Sequence, residues 1–299
     1  MIKNRSELLF LYDVTSANPS GDPSDENKPR IDEETGINIV TDVRKKRTIR
    51  DYFFNYKGFN GKADKDIFVR QTPSKKGKGL QDGKNRALDF GKTKEEIIDN
   101  ILSRCIDIRL FGAVIPLDKG SVTYTGPVQF KMGHSLHKVE MKYIKGTGAF
   151  AANDGKSQQT FREEYLLPYS LIAFYGVINE NAAKETTMCD ADVELLKEGL
   201  WNGTKNLLTR SKMGHVPRLM MRVEYKEPNF FIGELDKFIS LKTDKKDEEI
   251  RDIEEVEIDL TKLVEQLKLH ESKIEKVELK TDARIKLIGK DNIPKLVEI

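Results

Sequence analysis

The 299 residues predict an α+β fold in which strand, helix, strand, strand, helix and strand follow in turn. Three observations carry that order. Residues 8–12 form a short apolar run that stops at Asp13, as a buried strand does. Two amphipathic segments begin at capping residues, the first at Thr41 or Asp42 and the second at Asp190. Residues 121–131 alternate, and 166–178 are almost wholly apolar, so both read as strands.

In chain order, the loop after the first strand is dense in Asn, Pro, Ser, Gly and Asp and forms no regular ladder. The first helix runs to about Tyr56, with Val43, Ile49, Phe53 and Phe54 on one apolar arc. Lys46 and Arg50 fall inside that arc, four residues apart, where like charges repel. Snorkelling of the two stems is the plain explanation. With the basic helix start and the polar loop beside it, a phosphate chain gripped partly by helix N-terminal amides is the functional one. Residues 58–89 have little hydrophobic period, and read either as a solvated loop or as a basic finger with Lys75, Lys76, Lys78, Lys84 and Arg86 on phosphates.

A helix over 94–105 follows, with Ile97, Ile98, Ile101 and Leu102 on one stripe; Asp107 and Arg109 after it read as structural partners. In 121–131, Val122, Tyr124, Val128 and Phe130 point one way, and Pro127 implies an edge or bulge. Residues 132–165 are too long for a compact connection. A long hairpin fits them, reaching roughly 40 Å at about 3.3 Å per residue. His134 and His137 lie there without metal-ligand spacing, so they bind phosphate or bases or simply solvate a loop. The second helix spans 191–209. The basic loop 209–215, with Arg210, Lys212 and His215, either grips a phosphate or ends the helix before a strand at 217–225. Residues 227–299 alternate short strands with an acidic segment and a helix near 260–269. The order is the βαββαβ ferredoxin-like arrangement shared by RNA-recognition modules, carrying two large insertions.

A 38% hydrophobic share suffices for a core. The net charge of +2 averages opposed regions: 14 Lys/Arg against 5 Asp/Glu over 41–86, but 3 against 9 over 244–259. That separation suits a chain holding a polyanion on one side. Cys105 and Cys189 have neither metal spacing nor a disulfide framework, which predicts a reducing setting. The first apolar run is too short for a signal peptide and no window suits a membrane span, so a cytoplasmic chain without cofactor is expected.

Asn18-Pro19-Ser20-Gly21-Asp22-Pro23, then Asn27-Lys28-Pro29-Arg30, joined to Val40-Thr41-Asp42-Val43-Arg44-Lys45-Lys46-Arg47-Thr48-Ile49-Arg50, resembles the signature of the DevR-type, Cas-seven family of repeat-associated (RAMP) subunits, closest to subtype I-B. Thr125-Gly126-Pro127-Val128-Gln129, Gly133-His134-Ser135-Leu136-His137 and Arg210-Ser211-Lys212-Met213-Gly214-His215 extend the resemblance to about Tyr225. It implies an RRM-like palm with a finger over 57–120, a thumb hairpin over 132–165 and a palm completed by 227–299. It further implies a non-catalytic backbone subunit of type I CRISPR Cascade. Copies would line up head to tail on CRISPR RNA, with other Cascade subunits and target DNA as partners. The RNA contacts so implied are the loop carrying Asn18 and Gly21, then Thr41, Lys46 and Arg50, and loop 210–215; Arg44, Lys45, Lys75, Lys76, His134 and His137 complete the candidate set. The competing class is a metal-dependent endoribonuclease using Asp22, Asp25, Glu26 or Asp32, though Asp before Pro or Gly is ordinary turn chemistry.

Overall fold

A computed structural model describes residues 1–75, 77–151 and 159–299. Strand β1 (Ser6–Ala17) leads through a ribbon of β2 (Gly21–Asp22) and β3 (Lys28–Pro29), then β4 (Ile37–Val40), to helix α1 (Asp42–Tyr56). The first insertion holds α2 (Gly83–Ala87), α3 (Lys94–Arg104), α4 (Ile106–Phe111), β5 (Gly112–Pro116) and β6 (Ser121–Thr125). Strands β7 (Val128–Phe130), β8 (Gly133–Lys138), β9 (Lys142–Ala151) and β10 (Gln159–Ile178) precede α5 (Glu180–Thr186), α6 (Asp190–Lys205) and β11 (His215–Tyr225). The remainder holds β12 (Ser240–Lys242), β13 (Glu257–Asp259), α7 (Thr261–Leu269), β14 (Ile274–Thr281), β15 (Leu287–Ile288) and β16 (Leu296–Glu298).

The main sheet runs β16-β14-β11-β1-β10-β8-β4, with β7 and β9 also on β10. It is mixed: β1 is antiparallel to both β10 and β11, whereas β14 and β16 are parallel. The sheet is covered on both faces, which is why β1 reads as a continuous apolar run. Leu8, Phe10 and Tyr12 join Ile49 and Phe53 of α1 and Leu196 and Leu200 of α6 in one core. Leu9 and Leu11 face a second core, built with Tyr225, Ile258, Leu263 and Leu267 of the C-terminal part.

Several expectations need correction. The alternating run 121–131 is not one strand: β6 pairs β5 in a separate ribbon, while β7 pairs β10. The break falls at Gly126, where a Cβ would lie 2.0 Å from the Phe111 carbonyl carbon. The stretch 58–89 is not a bare loop. Phe68, Ala87 and Phe90 pack with Ile97, Ile101, Ile108 and Ile115 in a third core. Helix α6 starts one residue early, from Cys189, because the Asp192 carboxylate accepts the Cys189 N–H at 3.1 Å.

A candidate nucleic-acid interface

The phase of α1 decides which cations point where. Ile49, Tyr52 and Phe53 are buried, but Val43 is 67% exposed and Phe54 is on the surface. The buried stripe is therefore rotated from the arc read in the sequence, and the core-facing cation is Lys45, not Lys46 or Arg50. Its Nζ lies 3.9 Å from the centre of the Tyr12 ring, 4.5 Å from Phe10 and 5.2 Å from Phe174, and donates to Thr204 Oγ1 at 3.2 Å. The ring faces attract the ammonium, yet burial holds its pKa well below the ordinary lysine range.

Lys46 and Arg50 each meet a carboxylate. Lys46 Nζ is 3.1 Å from Asp42 Oδ2 and 3.2 Å from Gln129 Oε1. Arg50 Nε donates to Asp107 Oδ2 at 3.1 Å, and the buried Asp107 also accepts the amides of Phe68 and Val69. Arg50 thus anchors the first insertion to α1, which corrects the picture of two unpaired cations on the core side.

An uncompensated positive hollow lies one helical step away. Thr41 caps α1 by accepting the Arg44 N–H at 3.2 Å, which places the Arg44 side chain over the loop after β1. Asn18 is buried there, its amide donating to Ser211 O at 2.9 Å and its Nδ2 to Asn27 O at 2.7 Å. Lys212 Nζ donates to the Asn18 carbonyl. His215 stacks on Tyr12 with ring centres 5.7 Å apart, and its Nδ1 donates to the Lys212 carbonyl. Among the described residues, no carboxylate lies within 4.0 Å of Arg44, Lys45 or Lys212, and the acid that acts on Arg44, Asp51, is paired with Arg47 at 2.6 Å. Burial and the Arg44 charge lower Lys212 to about 7, and burial pushes His215 down to about 3, leaving it neutral. Burial likewise lowers Arg44.

The other candidates are scattered. Gly21 sits in the β2–β3 ribbon, where a Cβ would strike Asn27 Oδ1 at 2.1 Å, and its carbonyl accepts from Arg30 Nη1 at 2.7 Å. Arg210 is exposed beside the hollow, paired with Glu164. His134 is exposed on β8. His137 is buried, with Nδ1 donating to Lys138 O at 2.8 Å and Nε2 accepting the Leu171 N–H at 3.1 Å. Both nitrogens are occupied, so His137 holds β8 to β10 and has none left for RNA. Lys75 pairs with Asp89 at 2.5 Å and Lys84 with Asp118 at 2.7 Å. Arg86 is buried on Asp66 and Asp89, which corrects its reading as a phosphate contact; Lys76 lies outside the described residues.

The four carboxylates of the nuclease alternative have local partners. Asp22 accepts the Ser24 amide and faces Arg30 at 3.4 Å. Asp25 and Glu26 flank Lys28, and Asp32 accepts from Thr35. Among the described residues no group of three His, Cys, Asp or Glu side chains could hold a metal, and no helix is long and apolar enough to cross a membrane. One pair escaped the sequence reading. Tyr143 and Tyr165 oppose each other across β9 and β10 with rings 5.2 Å apart, and the Lys28 ammonium lies 5.2 Å over Tyr165. The two tyrosines are not symmetric about the middle of the hairpin read over 132–165, so the sequence held no signal for the pair.

Known proteins resemble this chain over most of its length. A family model described as CRISPR-associated protein Cas7 matches residues 4–261. A Haloferax volcanii protein named CRISPR-associated protein Cas7 is 34% identical over 316 residues, covering 97% of this chain and 91% of its own. Among solved structures, a chain from a "CRISPR RNA-guided surveillance complex, pre-nicking" aligns with TM-score 0.60 at 12% identity, covering 99% of this chain and 96% of that one. A second, from a "CRISPR RNA-guided surveillance complex", gives 0.53 at 11% identity over 97% and 94%. The extent of the family match and the identity to the haloarchaeal relative place this chain in the CRISPR-associated Cas7 family.

Proposed function

We propose that this chain is the CRISPR RNA-binding backbone subunit of a type I, I-B-like Cascade complex. It works in the cytoplasm, in antiviral defence, and has no catalytic role of its own. Copies join head to tail along the guide and present it for pairing with target DNA, alongside other Cascade subunits. Family membership supports this reading, and the observation that carries it is the hollow of Arg44 and Lys212, neither of which has a carboxylate within 4.0 Å. Buried charges are ordinarily paired, so such a cluster is completed by an anion from outside, and a phosphate backbone fits.

The architecture is read in the same terms. The order β11-β1-β10-β7, with α1 and α6 on one face, supports a ferredoxin-like palm. The third core supports a finger over 57–120, the paired β9 and β10 a thumb over 132–165, and β14 and β16 a palm completed by 227–299. Such an assembly is heterologous and non-closing, its length set by the RNA. Contacts through phosphate carry little sequence preference. The test is binding of labelled single-stranded RNA against salt concentration. The wild-type chain binds diverse sequences alike, and Arg44→Ala with Lys212→Ala lowers the log–log salt slope by about 0.7 for each phosphate no longer neutralised. An unchanged slope overturns the site; regular metal-dependent cleavage of the RNA overturns the non-catalytic role.

A further inference from the structure

The hollow holds one group whose charge is not fixed. Lys212 is half-buried, and its ammonium donates to the Asn18 carbonyl, a neutral acceptor. Around it stand cations, a neutral imidazole and, further off, acids: Glu26, Glu163 and Glu164 line the neighbouring pocket with Asn18 and Ser211, and Asp51 of α1 acts on Arg44. From α1 come Arg44 and the buried Lys45, and from β11 comes the neutral His215. On its own loop Arg210 is neutralised by Glu164 of β10. No carboxylate compensates Lys212, and a guanidinium beside it opposes its protonation.

From this juxtaposition we infer that the hollow binds a phosphate diester and a proton together: RNA loading is coupled to protonation of Lys212. The inference rests on the nucleic-acid reading above and adds to it a co-ligand and a pH dependence. With its pKa at about 7 in the free chain, Lys212 is largely neutral at mildly alkaline pH. A phosphate oxygen beside the ammonium supplies the missing negative charge and raises that pKa. The bound state then holds more protons than the free one, so affinity falls as pH rises above the free value. It stops falling only when pH reaches the raised value of the complex. Arg44 keeps its charge throughout and supplies the pH-independent part of the attraction.

The experiment titrates the full chain with a fluorescein-labelled oligouridine at constant salt, from neutral pH to about pH 9. It is paired with calorimetric titrations in Hepes and in Tris at one pH. The dissociation constant of the wild-type chain rises by up to about tenfold per pH unit. The two buffers give different heats, because protons taken up by the complex are drawn from the buffer. Lys212→Arg, which keeps its charge, binds with a flat pH profile and a smaller heat difference. A flat wild-type profile with equal heats in the two buffers overturns the coupling while leaving RNA binding intact. Absence of binding at every pH overturns the nucleic-acid reading and the coupling with it. The buffer comparison uses the unaltered protein, so it decides the question even where the arginine variant folds poorly.

Discussion

Side chains that look alike in the sequence have separate duties in the structure. Arg44, Lys45, Lys46 and Arg50 lie on one helix, yet one faces a hollow, one is buried among three rings and two are tied to acids. Removing Asp107 by Asp107→Ala leaves the Arg50 charge and two amides without their acceptor, at a cost of about 3–5 kcal/mol in urea denaturation. Lys45→Met has the opposite sign. In the unfolded chain Lys45 regains its ordinary value of 10.5, well above the folded one, so below that value its protonation favours the unfolded state. The methionine variant therefore melts higher than wild type near neutral pH, and the gap closes as pH rises toward 10.5. An unchanging gap would show that Lys45 stays charged in the fold. The sequence picked out these cations but not their separate settings, because Val43 and Phe54 are apolar residues left on the surface and shifted the inferred stripe. A lysine under three aromatic rings breaks the pattern that periodicity reads.

Elements with long, regular patterns were legible: α1, α3 and the palm half of β10 lie where the sequence puts them, whereas β1 runs on past Asp13 to Ala17 and α6 stops at Lys205 rather than at 209. What failed was tertiary. Val122, Tyr124, Val128 and Phe130 alternate without interruption, and only the approach of Gly126 to the Phe111 backbone divides them between two sheets. Gly126→Val forces that contact apart and costs about 1–3 kcal/mol, read as a lowered denaturation midpoint. A variant as stable as wild type would mean that the crossing has slack. The insertion after α1 was illegible for another reason: its apolar residues are few and far apart in the sequence, and they come together in the third core beside the ion pairs and hydrogen bonds of Asp66, Arg86 and Asp107.

At the scale of the whole molecule, the hairpin of β9 and β10 shares strand β10 with the main sheet, whose strand β1 ends next to Asn18 of the basic hollow. Deleting residues 146–155 leaves the palm folded, with circular dichroism and melting close to wild type. It abolishes the oligomers that otherwise lengthen with the RNA, as measured by sedimentation. Normal growth of those oligomers after the deletion would remove the thumb from the assembly model.

Strand β10 is 20 residues long, about 66 Å if fully extended. One half pairs β9, while the other lies against β1 at the centre of the sheet. The arm is thus a cantilever rooted in the middle of its own floor rather than hinged at the rim. Any load placed on it passes to the hydrogen bonds of β10 with β1, β7 and β8, and the end of β1 next to the arm, at Ala17, borders the hollow. A force on the arm therefore reaches the hollow through the pairing of Leu167 with Ala17.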